Sequence, residues 1–134
     1  STMFTEIIKP RFHETDALGH INNAVVAEWF EGARTPIFLI FTPDLSVAAW
    51  KVILAKLTID FHRETHFGSN VEIKSSISRI GNSSFDVRQE VWQDGQKTAS
   101  GTTVMVHFDH ASKKSLKLEG LILEQLQKHF LAVG

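Results

Sequence analysis

Within ten residues this chain brings together two acids, a glycine, a histidine and two asparagines: Glu14, Asp16, Gly19, His20, Asn22 and Asn23. A carboxylate can attack an acyl carbon or take a proton from an attacking water. Asn22 or Asn23 suits a helix N-cap, because its side-chain oxygen can accept a first-turn amide hydrogen. A helix start offers free N–H groups and the positive end of the helix dipole, both of which stabilise an oxyanion. An acid such as Asp16 beside a helix start thus supplies the two parts needed to attack a thioester or ester carbonyl. The same residues also suit a plain turn, with Glu14 and Asp16 as turn acids, Gly19 at positive φ and the asparagines as caps.

Other chemistries find less support. The chain has no Cys, which excludes disulfide scaffolds, Cys-zinc sites, iron–sulfur clusters and thiol nucleophiles. No Gly-x-Ser-x-Gly elbow occurs, so a serine hydrolase is disfavoured. His62 and His66 lie four apart, and His13, Asp16 and His20 lie close in sequence, yet each has a strand or turn role. No metal site is expected from them, and no cofactor. His20 is open to two roles, a general base or a hydrogen-bonding group that orders the turn.

The remaining sequence must position that segment. Its 134 residues favour one domain, residues 1–134, and the polar run Asp109–Ser115 is too short to divide it. A net charge of −1 disfavours nucleic acid as the main partner. The longest uncharged apolar stretch, Thr35–Pro43, is about half the roughly 20 residues that span a bilayer, so no membrane role is expected. No secretory signal is visible, so the default expectation is cytoplasmic.

Phe4–Phe12 reads as a first strand. Val26, Trp29, Phe30, Ala33 and Ile37 then mark one helical face, and Pro36 is expected to kink or end that helix. Ile37–Phe41 is apolar on every side and must be buried or line something. From Lys51 the period falls to two, and apolar residues on both faces predict a central strand. Strands around Val71–Ile77, Phe85–Val91 and Lys97–Phe108 follow, with breaks at Gly68-Ser69-Asn70, Gly81-Asn82-Ser83-Ser84 and Asp94-Gly95. A last helix is expected from about Leu118, with Leu118, Leu121, Ile122, Leu126 and Phe130 on one face. The pattern predicts an α+β fold, a curled antiparallel sheet of about five strands wrapped around one long helix.

At this point the sequence resembles a known family. Arg11, Glu14, Asp16, Gly19, His20, Asn22, Asn23, Glu31, Ala33 and Arg34 fall in register with the motif of hotdog-fold thioesterases of the 4-hydroxybenzoyl-CoA thioesterase type. Ile59-Asp60-Phe61-His62-Arg63, His66-Phe67-Gly68, Arg79-Ile80-Gly81-Asn82-Ser83-Ser84, Asp94-Gly95 and Ala99-Ser100-Gly101 resemble later segments of that family in the same order.

The resemblance implies a hotdog fold and hydrolysis of an acyl-CoA or acyl-carrier-protein thioester, with water as second substrate. It implies Asp16 as the catalytic carboxylate, nucleophile or general base, and Glu14 as a less essential acid. Gly19, His20, Asn22 and Asn23 would lie with Glu14 around the bound substrate. It further implies a homodimer or homotetramer, with sites between subunits, the acyl group along the helix and the CoA nucleotide at the surface. Three positions depart from the pattern: Val26 replaces the usual Tyr in a chain without tyrosine, Glu64 replaces a Pro, and His62 replaces an apolar residue. The alternatives are a hotdog hydratase, disfavoured because Asp16 and His20 are four rather than five apart, and a non-catalytic acyl-CoA or acyl-carrier binding protein.

Overall fold

The computed structural model describes residues 2–44, 46 and 50–133. Strand β1 (Phe4–Ile8) is shorter than the Phe4–Phe12 expected. Pro10, which lacks a donor for the ladder, follows it, and Phe12–Glu14 tightens into a 3₁₀ turn. Helix α1 (Asn23–Ala33) is capped by Asn22, whose side chain accepts from the Ala24 amide at 2.9 Å. Its predicted face is buried: Val26, Trp29, Phe30 and Ala33 all point into the core.

The helix ends just ahead of Pro36, as expected: the Gly32 carbonyl that an amide at position 36 would take is bonded by Thr35 Oγ1 instead. The break comes at Arg34, and Pro36 sits in the first turn of helix α2 (Thr35–Phe41), where its missing N–H has no helical partner to lose. The apolar run of α2 is partitioned: Ile37 is buried, Phe38 leans on Trp50, Phe41 stacks on Phe85, and Leu39 is exposed.

Strands β2 (Val52–Phe61), β3 (Val71–Ile80), β4 (Ser84–Gln93) and β5 (Gln96–Asp109) complete the main sheet in the order β1-β3-β4-β5-β2, all antiparallel. The β4–β5 turn has Asp94 at φ 52° and Gly95 at φ 75°, the left-handed pair that a two-residue hairpin requires. Between Asp109 and Ser115 the chain makes a tight return, and strand β6 (Lys114–Ser115) pairs with Phe108 and Asp109. Helix α3 (Gly120–Lys128) begins two residues later than expected. Leu118 is buried ahead of it and Leu126 within it, whereas Leu121 points outward at 76% exposure and Phe130 is exposed beyond its end.

The central-strand expectation for β2 is overturned. Among the described residues β2 is an edge strand paired only with β5, and Leu54 and Phe61 are 48% and 45% exposed. Apolar residues on both faces record a need for cover, and part of that surface stays exposed.

Two contacts set the height of the helix above the sheet. A Cβ on Gly101 would lie 2.9 Å from the Thr58 carbonyl and 3.0 Å from the Phe30 ring, so only glycine admits this approach. Beyond it lies Arg34, 3% exposed, whose Nη1 donates to Gln89 Oε1 (3.1 Å) and Thr103 Oγ1 (3.2 Å). Gln89 Nε2 in turn donates to the Phe30 carbonyl (2.9 Å) and Ser75 Oγ (3.1 Å). This polar plug ties the α1–α2 junction to β3, β4 and β5. Burial pushes Arg34 below its usual value, and the nearby Glu31 opposes that shift.

Candidate functional site

The segment from Arg11 to Asn22 folds back on itself. Thr15 bridges to Ile21, the Asp16 amide donates to the His20 carbonyl (2.8 Å), and the Asn22 amide donates to the Glu14 carbonyl (2.9 Å). Gly19 takes φ +79°, which lets the chain reverse here. Asp16 and His20 thus become neighbours, just ahead of the first turn of α1.

Asp16 Oδ1 accepts from the Leu18 amide at 2.8 Å and from the His20 amide at 3.0 Å. Among the described residues Oδ2 has no hydrogen-bond partner. The amides that hold this acid come from its own loop, which leaves the helix start free for an oxyanion. The Leu18 amide does most to hold its carboxyl below the ordinary carboxylate value; desolvation opposes it, and the His20 amide and the His20 charge add to the lowering. The carboxylate is ionised at neutral pH, solvent-exposed, and has one oxygen without a hydrogen-bond partner among the described residues.

The other predicted residues divide by function. Both oxygens of Glu14 are occupied, Oε1 by the Arg11 amide (2.7 Å) and Oε2 by Trp29 Nε1 (3.0 Å), so it fastens the loop to α1. Asn22 is committed as the cap, while its carbonyl takes the Val25 amide. The Asn23 amide, first in the helix, has no partner among the described residues and lies at the positive end of the dipole.

A second segment supports the loop from below. Ile21 donates to the Thr65 carbonyl (2.7 Å), Phe67 donates to the Gly19 carbonyl (3.2 Å), and His20 bridges to His66. Thr65 Oγ1 bonds Thr98 Oγ1, and His62 Nε2 bonds Ser100 Oγ, both at 2.8 Å. Buried Gln93 staples the turn through the His66 amide and the His66 and Ser69 carbonyls.

Glu64 brings its Oε2 to 3.4 Å from His20 Nδ1. Sequence reasoning noted Glu64 only as a departure; the signal was an acid placed directly after Arg63, just beyond the end of β2. His62 and His66 do not converge, and no group of three or more His, Cys, Asp or Glu side chains able to hold a metal occurs among the described residues. Beside the loop a crevice of about 730 Å³ is lined by Arg11, Phe12, Glu14, Trp29 and Phe67. Phe12 and Phe67 meet edge to face at 5.8 Å across it.

Residues 10–126 match the thioesterase-like superfamily, and the chain belongs to it. Its curled antiparallel sheet and central helix form the hotdog fold. The chain is similar to a predicted thioesterase from Bacillus stearothermophilus, with 37% identity, a TM-score of 0.95 and coverage of 98% of this chain and 99% of that one. It is also similar to a thioesterase from Thermus thermophilus solved with coenzyme A and Zn, with 27% identity, a TM-score of 0.81 and coverage of 92% and 96%. A 1,4-dihydroxy-2-naphthoyl-CoA thioesterase from Synechocystis shares the fold at 18% identity and a TM-score of 0.79, covering 93% of this chain and 96% of that one. No protein with a curated description matches the chain. No helix among the described residues is long and apolar enough to cross a membrane.

Proposed function

We propose that this protein is an acyl-CoA thioesterase in which Asp16 attacks the thioester carbonyl or activates the attacking water. The observation that carries this reading is the divided Asp16 carboxylate, with one oxygen held by two loop amides and the other free. Family membership and the CoA-bound Thermus thermophilus relative support a CoA thioester as the substrate.

The role of each group follows. The Asn23 amide receives the developing oxyanion at the positive end of α1. Asp16 forms the bond to the acyl carbon, or takes the proton of the water that does, and CoA leaves as its thiol. His20, steadied by Glu64, stands beside the reacting carboxylate and orders the loop. Gly19 shapes the reversal that brings these groups together.

The exposure of Asp16 and the open β2 edge support one further element of this reading, a second copy of the chain. Pairing through β2 would cover Leu54, Leu57 and Phe61 and end the sheet edge. It would also wall the carboxylate against bulk water.

The rival reading is a non-catalytic acyl-CoA or acyl-carrier binder, favoured by Val26 where the family places a tyrosine. Thiol release from a panel of short, medium, long and aromatic acyl-CoAs separates the two. The proposal predicts release well above the buffer rate for one acyl class. A binder would raise its melting temperature with these esters while release stays at the buffer rate.

A further inference from the structure

The helix pair has a second end, remote from Asp16. There the end of α2, the start of β2, β5 and α3 enclose a crevice of about 570 Å³ lined by Phe41, Lys51, His107, Leu116 and Ile122. Along β5 it lies roughly 23 Å from Ser100, the residue that holds His62, at about 3.3 Å per residue.

His107 gives this crevice its chemistry. It is 7% exposed, and its ring leans on Phe41 at 5.2 Å between centroids. Its Nδ1 is buried without a hydrogen-bond partner, and the Lys117 backbone lies close enough to favour the protonated ring. Burial most of all, against the opposing Lys117 backbone and with the charge of Lys51 adding to it, holds the imidazole below its ordinary value, so the ring is neutral at neutral pH and its Nδ1 stands unpartnered. Such an atom inside an apolar wall calls for a proton or a donor. Lys51 adds a cation at the mouth whose field reaches both His107 and Asp109. Asp44 is exposed on the rim.

We propose that this crevice is a second ligand site, one that takes an apolar carboxylic acid with its carboxyl group between His107 Nδ1 and Lys51 Nζ and its hydrocarbon or aryl body along Phe41, Leu116 and Ile122. The proton balance is simple. A bound acid passes its carboxyl proton to Nδ1, and a bound carboxylate draws one proton from solvent onto Nδ1. Either way the carboxylate ends between an imidazolium and an ammonium. An alcohol could donate to Nδ1 but brings no charge for Lys51. The acid released by thioester hydrolysis belongs to this ligand class; that link rests on the proposed function, whereas the site and its test do not.

The test is a titration of the full chain with octanoate, phenylacetate and octanol, read on the histidine ring signals by NMR, with His107→Gln assigning the His107 resonance. The proposal predicts a saturable shift of the His107 signal with the acids, at least tenfold weaker binding in Lys51→Met, and unchanged binding in Asp16→Asn. It is overturned if no acid moves His107 up to millimolar concentration, if octanol binds as well as octanoate, or if Lys51→Met binds as tightly as the parent. Binding lost in Asp16→Asn with His107 unmoved would place the acid at the loop instead, and would also overturn it.

Discussion

Asp16 and Arg34 are two charges held chiefly by neutral groups. Asp16 is gripped through one oxygen by the Leu18 and His20 amides and stays open to solvent. Arg34 is gripped by Gln89 and Thr103, is 3% exposed, and has no carboxylate as hydrogen-bond partner among the described residues. The difference lies in what each grip leaves over. The loop leaves an ionised oxygen facing outward, ready to react. The plug buries its cation, with Arg34 Nε left unpaired among the described residues and sealed from solvent, and ties three strands to a helix junction. One charge is arranged for chemistry, the other for the platform beneath it.

Substitutions at the two places should therefore separate activity from stability. The largest effect is expected for Asp16→Asn, which should lower acyl-CoA turnover by about 10²–10⁴-fold with little change in melting temperature, since the side chain is exposed. Parallel thiol-release and thermal-melt measurements check this. At the plug, Gln89→Met leaves the buried Arg34 without its main acceptor and should cost about 3 kcal/mol in urea unfolding. Adding Arg34→Met should recover part of that loss, because both partners are then apolar.

Gly101→Ala sharpens the comparison from the side of the platform. The new methyl meets the Thr58 carbonyl and the Phe30 ring, so α1 must lift; a loss of about 1–3 kcal/mol is expected in the same assay. Glu64→Gln is the mildest change. Its contact with His20 is long and partly solvated, so turnover should fall by no more than about fivefold, with no measurable loss of stability.

Where local chemistry decides the backbone, the sequence was readable. Asp94-Gly95 made its hairpin because both residues accept positive φ, and the α1 face followed its 3.6-residue period into the core. Pro36 marked the end of α1 because proline cannot bond back into the preceding turn, and what the sequence did not show is that it opens a second helix. The edge position of β2 was hidden because an apolar face records a demand for cover without naming its source. In the site, the segment around Asp16 was legible as a motif, yet its spacing did not name the Leu18 and His20 amides as the donors to the carboxylate. Glu64 reaches His20, and Gln89 reaches Arg34, only through tertiary folding that no local spacing encodes.

The pH dependence of acyl-CoA hydrolysis tests the role of Asp16 most directly. A carboxylate held by amides in the folded protein stays ionised as pH falls past the ordinary value of 3.8, and activity is lost only as pH falls through the lowered folded value. Brief acid pulses, with folding followed by circular dichroism, give kcat/KM at each pH. The account predicts an acid limb with its midpoint below 3.8 that is absent from the residual activity of Asp16→Asn. A midpoint at or above that value, or the same limb in Asp16→Asn, would contradict it.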